Sequence, residues 1–407
     1  MKKILLFVIV SIVSISALAV EYAPIANLEY VHNAIANKHD ISVSYNPAIV
    51  DITSAANMKY LLTAIDVANQ MQGVSTTYGD SEFATEYAAN IITVDEAVNT
   101  LIKIPAAPEE PDEPDPEFLV PPYVFAIKTN NQTSSYSFSI AAKGTFIVDW
   151  GDGTVETHNQ TSTYSKTYSH TYATAGEKLI RFGGLATAYD SDTRMGSISF
   201  AYSSSTAEIY GSLGKMFPTL ADGSQPSFYQ TFYYNRNLGG VIPRRLFSGI
   251  TGTPVSYMFA QTFYMDTSIT TLPAGLFGGL DGAPASNLFD STFYGCSSLQ
   301  YIPNNLFGNL HGRPALYMFY KTFQDCTSLT GEIPLGLFGD YENYYRSYMF
   351  GYTFANCSGL TGPSARMPDG TFLYNYFTTG SGYSQMSKTY QGCTQLSDYA
   401  SIPTASK

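Results

Sequence analysis

A repeat of about 30 residues constrains the fold of this chain more than any other feature. A threonine followed by an aromatic residue recurs at Thr231, Thr262, Thr292, Thr322, Thr353 and Thr389. The separations between these threonines are 31, 30, 30, 31 and 36 residues. Spacing this regular predicts that each unit packs on the next in register.

The residues between the threonines predict one short strand and one short helix in each unit. In the third unit, Leu299–Pro303 has the alternation of a short strand that proline ends. Pro314 is suited to the first position of a helix, and Phe319 and Phe323, four residues apart, would share one helical face. We therefore expect a solenoid of short strands plus short helices over residues 186–407, ending in a looser C-terminal cap.

The pattern Cys-x-x-Leu-x-x-Ile-Pro after a Thr-Phe pair resembles the BspA-like class of bacterial surface leucine-rich repeats. The resemblance extends over residues 200–402, about half the chain. It departs from the class in the Ile-Pro that ends the strand and in a longer Leu-Phe-x-Gly-Leu insert. It implies a leucine-rich-repeat solenoid on a protein that sits at, or leaves, the bacterial surface and binds host proteins or other cells.

Residues 123–185 carry a second recognisable pattern. Alternating residues in Ser135–Ile140 predict a strand, and Asp149–Gly153 reads as a tight turn between strands. This Asp-Trp-Gly-Asp-Gly run, followed by His170-x-Tyr172, resembles the PKD (polycystic kidney disease) domain. The resemblance implies an extracellular β-sandwich that acts as a spacer or interaction domain. About 60 residues is short for the family, so a strand or two is either absent or merged with the segment after residue 185.

Asp149 and Asp152 of this run have two possible roles. A carboxylate there can close an Asx turn by accepting from a backbone N–H two residues on, or it can bind calcium. We favour the structural role, because Gly151 and Gly153 can adopt the positive φ of a tight turn and Asp152 can close it.

The residues before position 123 predict three further segments. Residues 1–19 look like a secretory signal, since Lys2 and Lys3 precede an apolar core and Ala17-Leu18-Ala19 is a small-x-small cleavage site. We expect cleavage near Ala19 rather than a retained anchor, and no later run is long enough to span a membrane. Residues 20–104 have helical periodicity and predict a small helical domain, a possible self-association module. Residues 105–122 are an acidic, proline-rich linker, extended and stiff.

The charge argues against two classes of partner. The net charge is −12, which argues against nucleic acid and against an anionic membrane, and only 13% of the 407 residues are charged. The chain is rich in aromatic residues, with 33 Tyr and 25 Phe. We expect a multidomain protein with a small N-terminal helical domain, a PKD-like β-sandwich and the repeat.

The cysteines follow the repeat. Cys296, Cys326, Cys357 and Cys393 each lie four residues after a repeat threonine, and the same position holds Asn235 and Asp266 in the earlier units. Neighbouring cysteines are near enough for disulfides on distance alone. We expect buried free thiols with a structural role, because residues that cannot form disulfides occupy the same position. A metal site is not expected, since the four are spread along the repeat axis.

No motif for catalysis or cofactor binding is present. The sequence lacks Gly-x-Ser-x-Gly, His-Glu-x-x-His and a phosphate-binding glycine loop, so we predict no enzyme activity and no cofactor.

The repeat changes in one place, Gly339–Phe350, where tyrosines and an arginine replace the usual residues. The candidate ligand-binding residues there are Tyr341, Tyr344, Tyr345, Arg346 and Tyr348. Tyrosine and arginine are enriched in binding hot spots. The other interpretation is adaptation of packing toward the end of the repeat. The leading hypothesis is a non-catalytic, adhesin-like protein that binds an extracellular protein or glycan. The alternative is a self-assembling surface-layer protein.

Overall fold

The computed structural model describes residues 116–377 and 385–407. The strands are β1 (Tyr123–Thr129), β2 (Ser135–Ile140), β3 (Ala142–Asp149), β4 (Val155–Gln160), β5 (Lys166–Thr171), β6 (Leu179–Tyr189), β7 (Ile198–Ser199), β8 (Thr206–Gly211), β9 (Gly240–Val241), β10 (Ile269–Thr271), β11 (Asp281–Gly282), β12 (Asn309–Gly312), β13 (Thr330–Gly331), β14 (Asp340–Tyr341) and β15 (Gly359–Leu360). Within these two ranges the one α-helix is α1 (Leu373–Tyr376), and 3-10 helices lie at Thr193–Met195, Tyr399–Ser401 and Thr404–Ser406. The predicted signal sequence, helical domain and first part of the acidic linker lie outside the described residues.

Strands β1 to β8 form two antiparallel sheets. One has five strands in the order β4-β3-β6-β1-β8, and the other has three in the order β5-β2-β7. In β2 the residues alternate between exposed and buried, so that Tyr136, Phe138 and Ile140 point inward and the serines between them point outward. This alternation buries one face of the sheet.

An aromatic core joins the two sheets. The ring of Phe138 in β2 lies 5.1 Å from that of Phe182 in β6 and 5.7 Å from that of Trp150. Strands β7 and β8, which follow residue 185, pair with β2 and β1 respectively. Both sheets therefore draw on residues beyond the segment 123–185 used for the PKD resemblance, and these residues lie in the range 186–407 that we predicted to be solenoid.

The turn between β3 and β4 uses both of its aspartates. Asp149 Oδ1 accepts from the Gly151 N–H at 2.9 Å, and Asp152 Oδ1 accepts from the Thr154 N–H at 3.0 Å. Gly151 has φ +78°, and a Cβ there would lie 2.6 Å from the Leu179 carbonyl oxygen, so the turn requires glycine. The second oxygen of Asp152 lies 2.7 Å from His170 Nε2, and the pair with His170 and the Thr154 N–H lower the pKa of Asp152 to about 2.

The predicted leucine-rich-repeat solenoid of short strands plus short helices is wrong. In the repeat the strands are two to four residues long, and α1, with four residues, is the one α-helix that the described residues contain. The segment with Phe319 and Phe323, for which we predicted a helix, is a series of consecutive turns. Regular secondary structure is therefore a small part of each unit.

Backbone hydrogen bonding explains why the helix does not form. In residues 255–266, from Tyr257 onward, the N–H groups of even-numbered residues donate to the carbonyl three residues back, as Ala260 does to Tyr257. The N–H groups of odd-numbered residues donate instead to the next unit, as Phe259 does to Leu288. An α-helix would direct every bond to the residue four back within the same segment. We call these residues, with 285–296, 315–326 and 346–357, the turn ribbons.

Positive φ angles recur along each turn ribbon at intervals of four residues. They lie at Tyr257 (60°), Gln261 (56°) and Met265 (61°) in one unit, and at the equivalent residues of the others. A turn whose third residue has positive φ is of a type that cannot continue as a right-handed helix. The four-residue interval still places Phe259 and Phe263 on one side, which is why the sequence resembles a helix.

The repeated phenylalanines form three buried columns through the turn ribbons and the adjoining loops. The columns are Phe232-Phe263-Phe293-Phe323-Phe354, Phe228-Phe259-Phe289-Phe319-Phe350 and Phe247-Phe277-Phe307-Phe338. In the first column successive ring centroids are 5.4, 5.5, 5.5 and 5.7 Å apart, and the planes are within 11° of parallel. Each ring thus contacts the equivalent ring of the next unit.

The repeat threonines and cysteines bond to the unit before their own. The Thr322 hydroxyl donates to the Phe289 carbonyl at 2.9 Å, and the other repeat threonines do the same. The Cys326 thiol donates to the Phe293 carbonyl at 3.0 Å, and the other three cysteines are equivalent. All four cysteines are buried and free, so each serves as a small hydrogen-bonding group of the core.

Asp266 occupies the cysteine position in its unit and is fully buried. Its Oδ1 accepts from the Asn235 N–H at 2.7 Å, whereas its Oδ2 has no hydrogen-bond partner. Other residues at this position donate to a carbonyl of the previous unit, as the Asn235 amide does to Phe200. A protonated carboxyl can do so, and burial raises the pKa of Asp266 well above its ordinary value.

We predict that Asp266→Asn raises the free energy of unfolding at pH 7. Since the folded-state pKa is raised, the contribution of this carboxyl to the free energy of unfolding is fully present below about pH 4. It is lost as pH rises through the folded pKa, at about 1.4 kcal/mol per pH unit. The asparagine amide of the variant still offers a hydrogen-bond donor and does not titrate. Urea unfolding from pH 4 to 8 should show a stability difference between variant and parent that grows with pH. Asp340→Asn, at an exposed carboxyl, is the control. A difference that is independent of pH would contradict the prediction.

We also predict that none of the four thiols reacts in the folded protein. Burial raises the pKa of Cys296, Cys326 and Cys357 well above the ordinary value and that of Cys393 to about 12. Titration with dithionitrobenzoate should detect no thiol before unfolding and four thiols after unfolding without reductant. Two missing thiols in the unfolded sample would indicate a disulfide and contradict the assignment.

Candidate binding surface

The turn ribbons direct phenylalanine and threonine inward and carry tyrosines on their outer side. Tyr233, Tyr264 and Tyr294 are equivalent residues of three successive units and are partly exposed. Their rings stack at 4.8 Å and 4.7 Å. Burial is the main reason that the pKa of Tyr233 and Tyr294 is raised to about 12. These phenols therefore stay neutral and present hydroxyl groups at regular intervals.

A second group of tyrosines lies on the following units. Tyr317 and Tyr348 stack with centroids 5.5 Å apart and planes 4° from parallel, and Tyr320 contacts the edge or face of both. The Lys321 Nζ lies 5.0 Å from the centroid of Tyr320 and 5.7 Å from that of Tyr352. These cation–π contacts place the Lys321 ammonium group close to both the Tyr320 ring and the Tyr352 ring.

Tyr344 is the most exposed tyrosine of the predicted set, with 40% of its surface accessible. Two guanidinium groups lie against its ring, Arg313 at 4.9 Å and Arg346 at 4.3 Å from the centroid. Arg313 Nε also donates to Glu342 Oε2 at 3.1 Å. The phenol and both arginines thus contact one another without a ligand, and we call Arg313, Tyr344 and Arg346 the Tyr344 cluster.

The structure separates the five residues predicted from the sequence. Tyr344 and Arg346 are in contact, and Arg346 Nη1 donates to the Tyr345 carbonyl at 3.1 Å. Tyr348 belongs to the neighbouring group of tyrosines. Tyr341 is only 1% exposed and packs against Phe319, so its ring is part of the core and does not reach the surface.

Arg313 was not among the residues predicted from the sequence. It lies one unit before Tyr344, and β12 pairs with β14 in parallel so that Gly312 is opposite Tyr341. Aligning the units and treating equivalent positions as neighbours would have found it. Comparing residues that are close to each other along the chain does not reveal this contact.

The described residues contain no candidate metal centre. No group of three or more His, Cys, Asp or Glu in residues 116–377 and 385–407 is arranged to hold a metal ion. In the part of the chain that the structure describes, no helix has the length and apolar character needed to cross a bilayer.

Comparison with protein-family models, curated proteins and solved structures finds no match to this chain. Its role has to be argued from its own residues.

Proposed function

We propose that this chain is a secreted or cell-surface bacterial protein that binds an extracellular protein or glycan and catalyses no reaction. Export is supported by the signal-like residues 1–19 with Ala17-Leu18-Ala19. Binding is supported by the Tyr344 cluster, in which two guanidinium groups lie against an exposed ring. The β-sheet region would then act as a spacer that positions the repeat, as a PKD-like domain would.

The Tyr344 cluster is the observation on which the binding proposal rests. Tyrosine offers a large, rigid contact area with a polar end, and arginine offers several donors in a fixed plane. Here the side chains already contact one another, so less rotamer entropy is lost when a ligand binds. Both protein carboxylates and the hydroxyl or carboxylate groups of glycans match this set of donors.

We predict that changing Tyr344 and Arg346 together to alanine lowers affinity for the partner at least tenfold, because the double change removes the ring and one of its two guanidinium groups. The partner would first be found with arrays of glycans and extracellular proteins. Binding would then be measured by surface plasmon resonance.

Tyr164→Ala is the matched control, since Tyr164 is 77% exposed and lies in the loop between β4 and β5. Its affinity should equal that of the parent. An unchanged affinity in the Tyr344 and Arg346 variant would exclude the Tyr344 cluster as the site.

The alternative is a self-assembling layer protein. In the described part of the repeat the segment with Lys388 and Tyr390, which follows the last turn ribbon, is already covered, because the N–H groups of these two residues donate to the carbonyls of Ala405 and Ser406. Assembly by adding a second copy to that end would break these bonds. Self-association is therefore assigned to residues 20–104, which have the helical periodicity.

Light scattering tests the alternative. Pro114–Lys407 forms one compact unit, which permits its separate expression. If assembly is the function, the secreted chain should form a large oligomer and Pro114–Lys407 should be a monomer. A monomeric secreted chain at all concentrations would contradict assembly and leave the binding proposal.

A further inference from the structure

The row of tyrosines at the first positive-φ position of the turn ribbons is interrupted once. Tyr257, Asn287, Tyr317 and Tyr348 occupy this position in successive units, with φ of 60°, 56°, 55° and 53°. The N–H groups of the first three donate to carbonyls of the following units in the same way. The backbone is thus equivalent at all four, and Asn287 alone lacks a ring.

The missing ring leaves a gap of defined width. In the core beneath, Phe263 and Phe293 are 5.5 Å apart, as are Phe293 and Phe323, so the units that carry Tyr257 and Tyr317 are separated by two steps of 5.5 Å. Tyr317 and Tyr348, which are in adjacent units, stack at 5.5 Å. A planar group at the level of Asn287 would therefore lie at stacking distance from both flanking units.

A second tyrosine strengthens each side of the gap. Tyr257 contacts Tyr229 edge to face at 6.1 Å, and Tyr317 contacts Tyr320 edge to face at 5.1 Å. These four rings are partly exposed. Within each pair the two rings contact each other. One pair precedes the unit of Asn287 along the repeat, and the other follows it.

Asp290 belongs to the same turn as Asn287, because its N–H donates to the Asn287 carbonyl at 3.3 Å. Burial raises the pKa of Tyr229 and of Tyr320, and the Asp290 charge raises both further. One of its oxygens accepts from the Ser291 hydroxyl at 2.7 Å, the one side-chain hydrogen bond that the described residues make to it. Lys321 lowers the Asp290 pKa but lies over the Tyr320 ring. Burial, the largest effect, raises that pKa to about 6, as expected for a carboxyl without a direct counter-ion.

We propose that the gap at Asn287 binds a guanidinium group, the side chain of an arginine on a partner protein, which stacks between Tyr257 and Tyr317 and pairs with Asp290. Guanidinium is planar, stacks on aromatic faces and matches a carboxylate with two parallel hydrogen bonds. An ammonium group has the charge without the plane. The residues differ from those of the Tyr344 cluster, so the inference goes beyond the proposed function and the two can fail separately.

The test uses the secreted chain and two peptides, tetra-arginine and tetra-lysine, with isothermal titration at pH 7.5. Saturable binding of tetra-arginine, at least tenfold tighter than tetra-lysine, is expected. Asn287→Tyr should abolish it, because the new ring fills the gap and continues the row. Asp290→Ala should weaken it at least tenfold, and Ala260 shows that alanine is accommodated at this position.

Asn287→Ser and Tyr164→Ala are the controls and should bind tetra-arginine like the parent, since neither closes the gap. Thermal melting confirms that each variant is folded; if Asn287→Tyr is not, Asp290→Ala decides. No binding by the parent, equal affinity for both peptides, or parent-like binding by folded Asn287→Tyr or by Asp290→Ala would each overturn the proposal.

Discussion

The bonds from one turn ribbon to the next are the interaction on which this fold depends. Alternate N–H groups of each ribbon, such as those of Phe259 and Phe263, find their acceptor only in the following unit. A buried N–H without an acceptor costs about 1–3 kcal/mol, so these N–H groups can be buried only where the next unit supplies their acceptors. The units therefore stabilise one another, and the constant length between equivalent residues follows from this need for register.

The same bonds make an otherwise costly backbone acceptable. A non-glycine residue in the left-handed region costs roughly 1–2 kcal/mol, and each ribbon has up to three such positions. The compensation comes from the bonds to neighbouring units and from the stacked phenylalanines. At the third of these positions, three of the four ribbons have Gly295, Asp325 and Asn356, types that tolerate positive φ best, whereas the first ribbon has Met265.

The sequence pattern predicts the features that several repeat folds share. It does not decide between folds that have the same spacing of core residues. The period and the buried Phe319 and Phe323 are evident from spacing, because equivalent core positions must recur in any stack. The helix at the same residues was wrong, since a spacing of four fits a helix of 3.6 residues per turn as well as a ribbon with a four-residue period. Propensities did not reveal the positive φ at Tyr317, because no intrinsic preference of tyrosine places it there.

The surface is the part of the repeat that is free to differ between units. Phe, Thr and Cys positions are fixed by contacts to the units on both sides, whereas an outward position such as that of Tyr257, Asn287 and Tyr317 bears no core packing. Variation there costs little stability, so it can respond to a ligand. Adjacency along the chain misleads here, as the buried Tyr341 beside the exposed Tyr344 shows. Adjacency between units is the informative comparison, because it brings Arg313 to Tyr344 and identifies Asn287 as the position where a ring is missing.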